Sequence, residues 1–118
     1  VKVIVAGGRH IKDYNLVQAA IRMSGFNITE LVSGGARGVD QLGEIYADRF
    51  NIPIKPFPAL WKKFGRSAGH IRNAEMGDYA DGLVAIWDGI STGTHGMIKY
   101  ATKQGLLVYT HYEIGEEQ

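Results

Sequence analysis

Ser33-Gly34-Gly35-Ala36-Arg37-Gly38 sets a hydroxyl, a guanidinium and three glycines within six residues, between an apolar run ending at Val32 and a helical pattern beginning at Val39. Such a turn lets the backbone approach a ligand closely, and the helix after it offers unpaired N–H groups and the positive end of a dipole. The chemistry it suits is capture of an anion, phosphate above all. Two further turns are built from similar parts: Gly7-Gly8-Arg9, and Asp88 to Thr94 with Ser91, Thr92, Gly93 and Thr94 at its end. None is a Walker A loop, since no Gly-Lys-Ser/Thr follows at the required interval, and none reads G-x-G-x-x-G, so a conventional NTPase or dehydrogenase is not expected.

Three carboxylates stand near these turns. Asp40 and Glu44 lie four apart, hence on one helix face, and Asp88 ends a strand. Each is a weak candidate for acid–base work; the plain alternatives are a solvated position for Glu44 and a first-turn residue satisfying its own helix for Asp40. Between Asp48 and Glu75 the chain has no acid, while Arg49, Lys55, Lys62, Lys63, Arg66 and Arg72 are basic. Trp61 and Phe64 interleave with Lys62, Lys63 and Arg66, a pattern that suits a purine ring and its phosphates as well as a merely solvated surface. Trp61 reads equally as a base-stacking residue, a lid packed on the core or a subunit contact. Arg72 and Asn73, at the start of a helix, are candidates to point into the same crevice. His10, His70, His95 and His111 share no ligand spacing, so no metal site is expected.

The elements that must position these residues alternate. Strands are expected at 1–6, 29–33, 52–57, 82–87 and 106–110, the third short and at an edge because Pro53 and Pro56 remove ladder donors. Asp13 caps a helix with Leu16, Ala19, Ala20 and Met23 inward and Gly25 closing it. The second helix shows Val39, Leu42, Tyr46 and Phe50 on one side; the third, over 68–80, has Ile71, Ala74 and Met76 inward; the fourth follows Thr94. Residues 58–69 read as a long loop. Five strands with four intervening helices give a three-layer Rossmann-like parallel sheet, order 3-2-1-4-5, with helices on both faces. That order opens a crevice above the carboxyl ends of the first and fourth strands, where the three turns converge.

At 118 residues the chain reads as one domain over 1–112, with an acidic tail over 113–118. A hydrophobic fraction of 45% and a net charge of +1 fit a soluble globular protein without whole-molecule attraction to nucleic acid. No cysteine is present, so disulfides and thiolate metal sites are excluded, which fits a reducing cytoplasm. No run is apolar enough to cross a bilayer.

The motifs V-I-V-A-G-G-R at 3–9, V-S-G-G-A-R-G-V-D at 32–40, W…G-R-S-A-G-H-I-R-N-A-E-M at 61–76 and W-D-G-I-S-T-G-T at 87–94 resemble the SLOG superfamily, close to its YpsA-related group, over nearly the whole chain. The resemblance implies a Rossmann-like fold with a nucleotide at the glycine-rich turns, contacted by Gly8, Arg9, Ser33, Gly34, Gly35, Arg37, Gly38, Asp40, Gly93 and Thr94. Members that hydrolyse nucleotide 5′-monophosphates carry P-G-G-x-G-T-x-x-E, and here Met97 stands where that glutamate would be. Methionine takes no proton. The expectation is therefore a binder of an ADP-ribose-type or cyclic nucleotide, acting as sensor or sequestering protein, without cofactor and as a homodimer or larger assembly. The alternatives are a nucleotide N-glycosidase or phosphohydrolase using Asp40, Glu44 or Asp88, and single-strand DNA binding as in DprA.

Overall fold

In the computed structural model, which describes residues 1–113, five strands form one parallel sheet in the order β3-β2-β1-β4-β5. The strands are β1 (Lys2–Gly7), β2 (Glu30–Ser33), β3 (Ile54–Pro56), β4 (Gly82–Trp87) and β5 (Leu107–Tyr112). The helices are α1 (Tyr14–Ser24), α2 (Val39–Arg49), the single turn α3 (Trp61–Phe64), α4 (Ala68–Tyr79) and α5 (Thr92–Lys103). The architecture and strand order are those expected from the sequence.

Alternation along β1 divides the interior in two. Val3 and Val5 face one side and pack with Val17, Ala20 and Ile21 of α1 and Val39 and Ala47 of α2. Ile4 faces the other, among Met76 of α4 and Met97 and Ala101 of α5. Each of these strand residues is fully buried, worth roughly 1.5–3 kcal/mol per side chain. This is why the central strands are nearly continuous apolar runs.

Asp13 caps α1 through its carboxylate, which accepts from the Asn15 and Leu16 amides, and Gly25 ends the helix at φ 72°. The inward stripe of α1 differs from the expected one: Val17, Ala20 and Ile21 are buried, while Met23 is 64% exposed. Helical spacing fits both stripes, and the sheet selects the β-branched one. In α4 Met76 is buried as expected, but the other buried positions are Ala68, Arg72 and Gly77, while Ile71 and Ala74 are only partly covered. An arginine therefore occupies a core-facing position, which a hydrophobic pattern does not reveal.

The stretch read as a long loop is largely helical: after Ala59 and Leu60 come α3, a 3-10 turn over Gly65–Ser67, and α4. Neither α3 nor the 3-10 turn buries a residue, so no apolar periodicity marked them. β5 runs to Tyr112, past the expected end at Thr110. Glu113 continues in order, its amide donating to the Trp87 carbonyl at 2.8 Å and its carboxylate lying 3.3 Å from His10 Nε2. The rest of the expected acidic tail lies outside the described residues.

Candidate functional site

Two turns are locked together by glycine. Gly38 sits at φ 81°, and a Cβ there would collide with the Gly8 carbonyl oxygen. That carbonyl instead accepts from the Val39 amide at 3.2 Å. Gly7 is equally confined, between the Ile86 carbonyl and the Val39 side chain. Close contact of these backbones brings the guanidinium groups next to them, Arg9 after Gly8 and Arg37 before Gly38, to the same rim. Arg9 and Arg37 line one cavity of about 550 Å³ together with Gly34, Gly35, Ala36 and Arg72. Its remaining wall is apolar: Pro56, Phe57, Pro58, Ala59 and the half-exposed Trp61.

A second cavity, of about 510 Å³, adjoins it and shares Arg9, Ala36 and Arg72. Gly8, His10, Asp40, Asn73, Ser91, Thr92, Gly93 and Thr94 surround it, over a floor that includes Met76 and Met97. Most of the residues singled out by sequence thus lie around one double crevice. Ser33, Gly38, Glu44, Asp88 and Arg66 do not line it, nor do Lys62, Lys63 and Phe64 of the basic aromatic stretch.

Their positions have physical reasons. Ser33 is wholly buried; its hydroxyl donates to Glu44 at 2.6 Å and accepts from the Gly35 amide at 3.1 Å, so it shapes the turn from beneath. Glu44 is the acceptor in that arrangement and is not a freely solvated residue. Gly38 lies against Gly8, as described. Asp88 accepts from the Ile90 and Ser91 amides at 2.8 and 2.7 Å and from the Ser91 hydroxyl at 3.0 Å. Those backbone bonds hold its carboxyl below its ordinary pKa. Arg66 is exposed on the 3-10 turn.

At the shared wall, Arg72 is 9% exposed and is fixed by donating from Nη1 to the Gly34 carbonyl at 2.7 Å and from Nε to Asn73 Oδ1 at 3.0 Å. Burial lowers its pKa, the nearby Asp40 charge opposes that, and Arg9 adds to it. The space above Gly34 is filled by this guanidinium and by Asp40, leaving no room for a Cβ. Asp40 is 5% exposed, with Oδ2 accepting from the Ala36 amide at 3.2 Å. Burial raises its pKa from 3.8 to about 6; the Ala36 amide, Arg72 and Arg9 pull it down, and Glu44 pushes it up. Among the described residues Asp40 is the only carboxylate lining either cavity. Among the described residues no arginine lies within ion-pairing distance of a carboxylate; the one pair is His10 with Glu113. Three guanidinium groups at one crevice without paired acids can serve an anionic ligand.

Sequence reasoning missed the wall at Pro56, Phe57, Pro58 and Ala59, although an aromatic between two prolines just past an edge strand was a usable signal. His95 stacks on Trp87 with ring centroids 5.1 Å apart and 9° between planes, and Trp87 donates from Nε1 to the Ser91 carbonyl at 3.0 Å. Trp87 is thus a half-buried prop under the turn before α5. Among the described residues no group of three or more His, Cys, Asp or Glu could hold a metal.

The family model described as YspA, cpYpsA-related SLOG family matches residues 1–64, the span from β1 through α3 that contains Arg9, the Ser33–Gly38 turn, Asp40 and Trp61. Gene 61 protein of Mycobacterium phage D29 is 32% identical over 117 residues, covering 91% of this chain and 93% of that protein.

Proposed function

This chain belongs to the YspA, cpYpsA-related SLOG family, and from that premise we propose that its double crevice binds a phosphate-bearing nucleotide derivative, of ADP-ribose or cyclic type, as a cytoplasmic sensor or sequestering protein. The observation that carries the reading is the convergence of Arg9, Arg37 and Arg72 with the turn around Gly34 and Gly35, none of the three paired with an acid among the described residues. Planar guanidinium groups grip phosphate oxygens in two-pronged fashion. Phe57 and Trp61 supply a face for a base. Isothermal titration against nucleoside mono- and diphosphates, ADP-ribose and cyclic nucleotides tests it: micromolar binding that weakens at least tenfold in Arg72→Met supports the reading, and absence of binding to the whole panel defeats it.

A second reading, hydrolysis, is favoured by one feature, the buried Asp40 in the crevice with its pKa raised to about 6. A carboxylate so tuned can accept a proton from water near neutrality. Recovery of intact ligand from denatured protein after long incubation eliminates this reading, while turnover abolished in Asp40→Asn supports it. The exposed Leu60 and Trp61 support self-association into a homodimer or larger assembly; a monomer by light scattering at high concentration counters it. DprA-like DNA binding rests on Lys62, Lys63 and Arg66 alone and requires an affinity that collapses with added salt.

A further inference from the structure

The two edges of the sheet, β3 and β5, are guarded very differently. We propose that the outer edge of β5 is a self-association surface, on which a second copy of this chain docks by antiparallel pairing of β5 with β5 to make one continuous sheet.

Two hydrogen bonds fix which backbone groups are available. The Leu107 and Glu113 amides donate inward, to the Asp81 and Trp87 carbonyls at 3.2 and 2.8 Å. Backbone groups alternate along a strand, so the amides and carbonyls of Val108, Thr110 and Tyr112 point outward, and among the described residues no strand pairs with them. β5 keeps register with β4 from Leu107 against Gly82 to Tyr112 against Trp87, so no bulge bends this edge away. Such a row is a template for another strand. The β3 edge is blunted by Pro53, Lys55 and Pro56, whereas residues 104–112 contain no proline, lysine, arginine, aspartate or glutamate. The strand itself, Leu-Val-Tyr-Thr-His-Tyr, is mostly β-branched and aromatic. Met97 and Ala101 of α5 lie with Val108 on one face of β5, while Leu107, on the other face, is 62% exposed and Tyr112 at the strand's end is 60% exposed.

Charge at the ends of this run selects the occupant. Lys103 stands before it, and Glu113 follows it, its amide held by the carbonyl of Trp87, the residue before Asp88. An edge cationic at one end and anionic at the other is complementary to a reversed copy of itself and repels a parallel one. A twofold axis at Thr110 sets Val108 opposite the partner's Tyr112 and Tyr109 opposite the partner's His111, pairings of the kind that stabilise antiparallel ladders. The contact is isologous and therefore closes at two chains. Because the strands run in opposite directions, the two crevices lie at opposite ends of the joined sheet, and each chain keeps its own. The inference does not depend on what the crevice binds, and it concerns the edge of the sheet opposite β3, the strand that leads to Leu60 and Trp61.

Size-exclusion chromatography with light scattering tests it on the intact protein: wild type at micromolar concentration has twice the chain mass. Thr110→Pro removes an outward amide and no bond to β4, a change that edge strands tolerate. It raises the dimer dissociation constant about tenfold or more while the far-UV circular dichroism stays that of wild type. Tyr112→Lys, at an exposed position, and Lys103→Glu, which brings like charges together, weaken the dimer in the same direction and keep the test readable should the proline variant not fold. The chain has no cysteine, so Thr110→Cys introduces a single thiol that faces its own copy; opposed residues of a hydrogen-bonded antiparallel pair have Cα atoms about 5.5 Å apart. A short bifunctional thiol reagent joins these chains in pairs and leaves Trp61→Cys chains single. A monomeric wild type overturns the proposal. So does a dimer that Tyr112→Lys and Lys103→Glu both leave intact, or one that is joined through Trp61→Cys and not through Thr110→Cys.

Discussion

Replacing Asp40 by Asn changes stability in a way that depends on pH, and the sign follows from burial. In the unfolded chain the carboxyl titrates near 3.8; in the folded protein, 5% exposed, it titrates at about 6. A folded-state pKa raised above the unfolded value means that the native state holds the proton more tightly between those values. The stability this contributes is fully present below about pH 4 and is lost as pH rises through 6. Two units correspond to about 3 kcal/mol at 1.36 kcal/mol each. That figure already contains the attraction of Arg72 and Arg9, since both act on the titration itself. Asn keeps an oxygen for the Ala36 amide and never ionises. Urea unfolding followed by the fluorescence of Trp61 and Trp87, at half-unit steps from pH 4 to pH 8, measures the difference between Asp40→Asn and wild type. The variant should gain on wild type by about 2–3 kcal/mol across that range, with the steepest change near pH 5, about midway between the unfolded and folded pKa values, and a plateau above about pH 6. A difference that stays constant within about 0.5 kcal/mol would show that Asp40 is ionised in the folded protein at no cost, and the account of a buried, desolvated carboxylate would be wrong.

Other substitutions separate the structural glycines from the open one. Gly38→Ala, at φ 81° and against the Gly8 carbonyl, should destabilise by several kcal/mol, as a strained backbone and a collision add. Gly93→Ala has open space and should stay within about 0.5 kcal/mol by the same urea assay; a loss as large as that of Gly38→Ala would refute the distinction. Asp13→Ala removes the acceptor for the Asn15 and Leu16 amides and should lower stability by about 1 kcal/mol, with no effect on nucleotide titration. Trp61→Phe should leave unfolding unchanged, since the residue is half-exposed, yet abolish any fluorescence quenching produced by a bound base. Persistence of the quench would assign it to Trp87.

The order of the sheet was legible because the β-branched runs around Val3, Val32 and Val84 are too apolar to sit anywhere but under two layers of helix. The convergence of the turns then followed from topology alone. What spacing did not disclose was which of two apolar stripes α1 turns inward, because Leu16–Ala20–Met23 and Val17–Ala20–Ile21 share one period and differ only in what the sheet accepts. Residues 61–67 were unreadable as helix for a related reason: they bury nothing, so no periodicity exists to find. At the site, Arg72 and Asp40 could be named as candidates, but their burial could not. Charged residues on a helix ordinarily read as its solvent face, and only the approach of α4 to the Gly34 turn shows that both face inward.

That burial bears on what the crevice is for. A guanidinium and a carboxylate held this dry are individually costly, and here they do not close into an ion pair, although each lies near Gly34. A fold selected for stability alone would join them or replace both with apolar side chains of similar volume. Leaving Asp40 with one oxygen unpartnered among the described residues, and Arg72 beside the exposed Arg9, keeps an acceptor in one cavity close to the cationic wall that both cavities share. Unpaired groups of opposite charge kept dry at such a junction are the mark of a site arranged for function at the expense of folding stability.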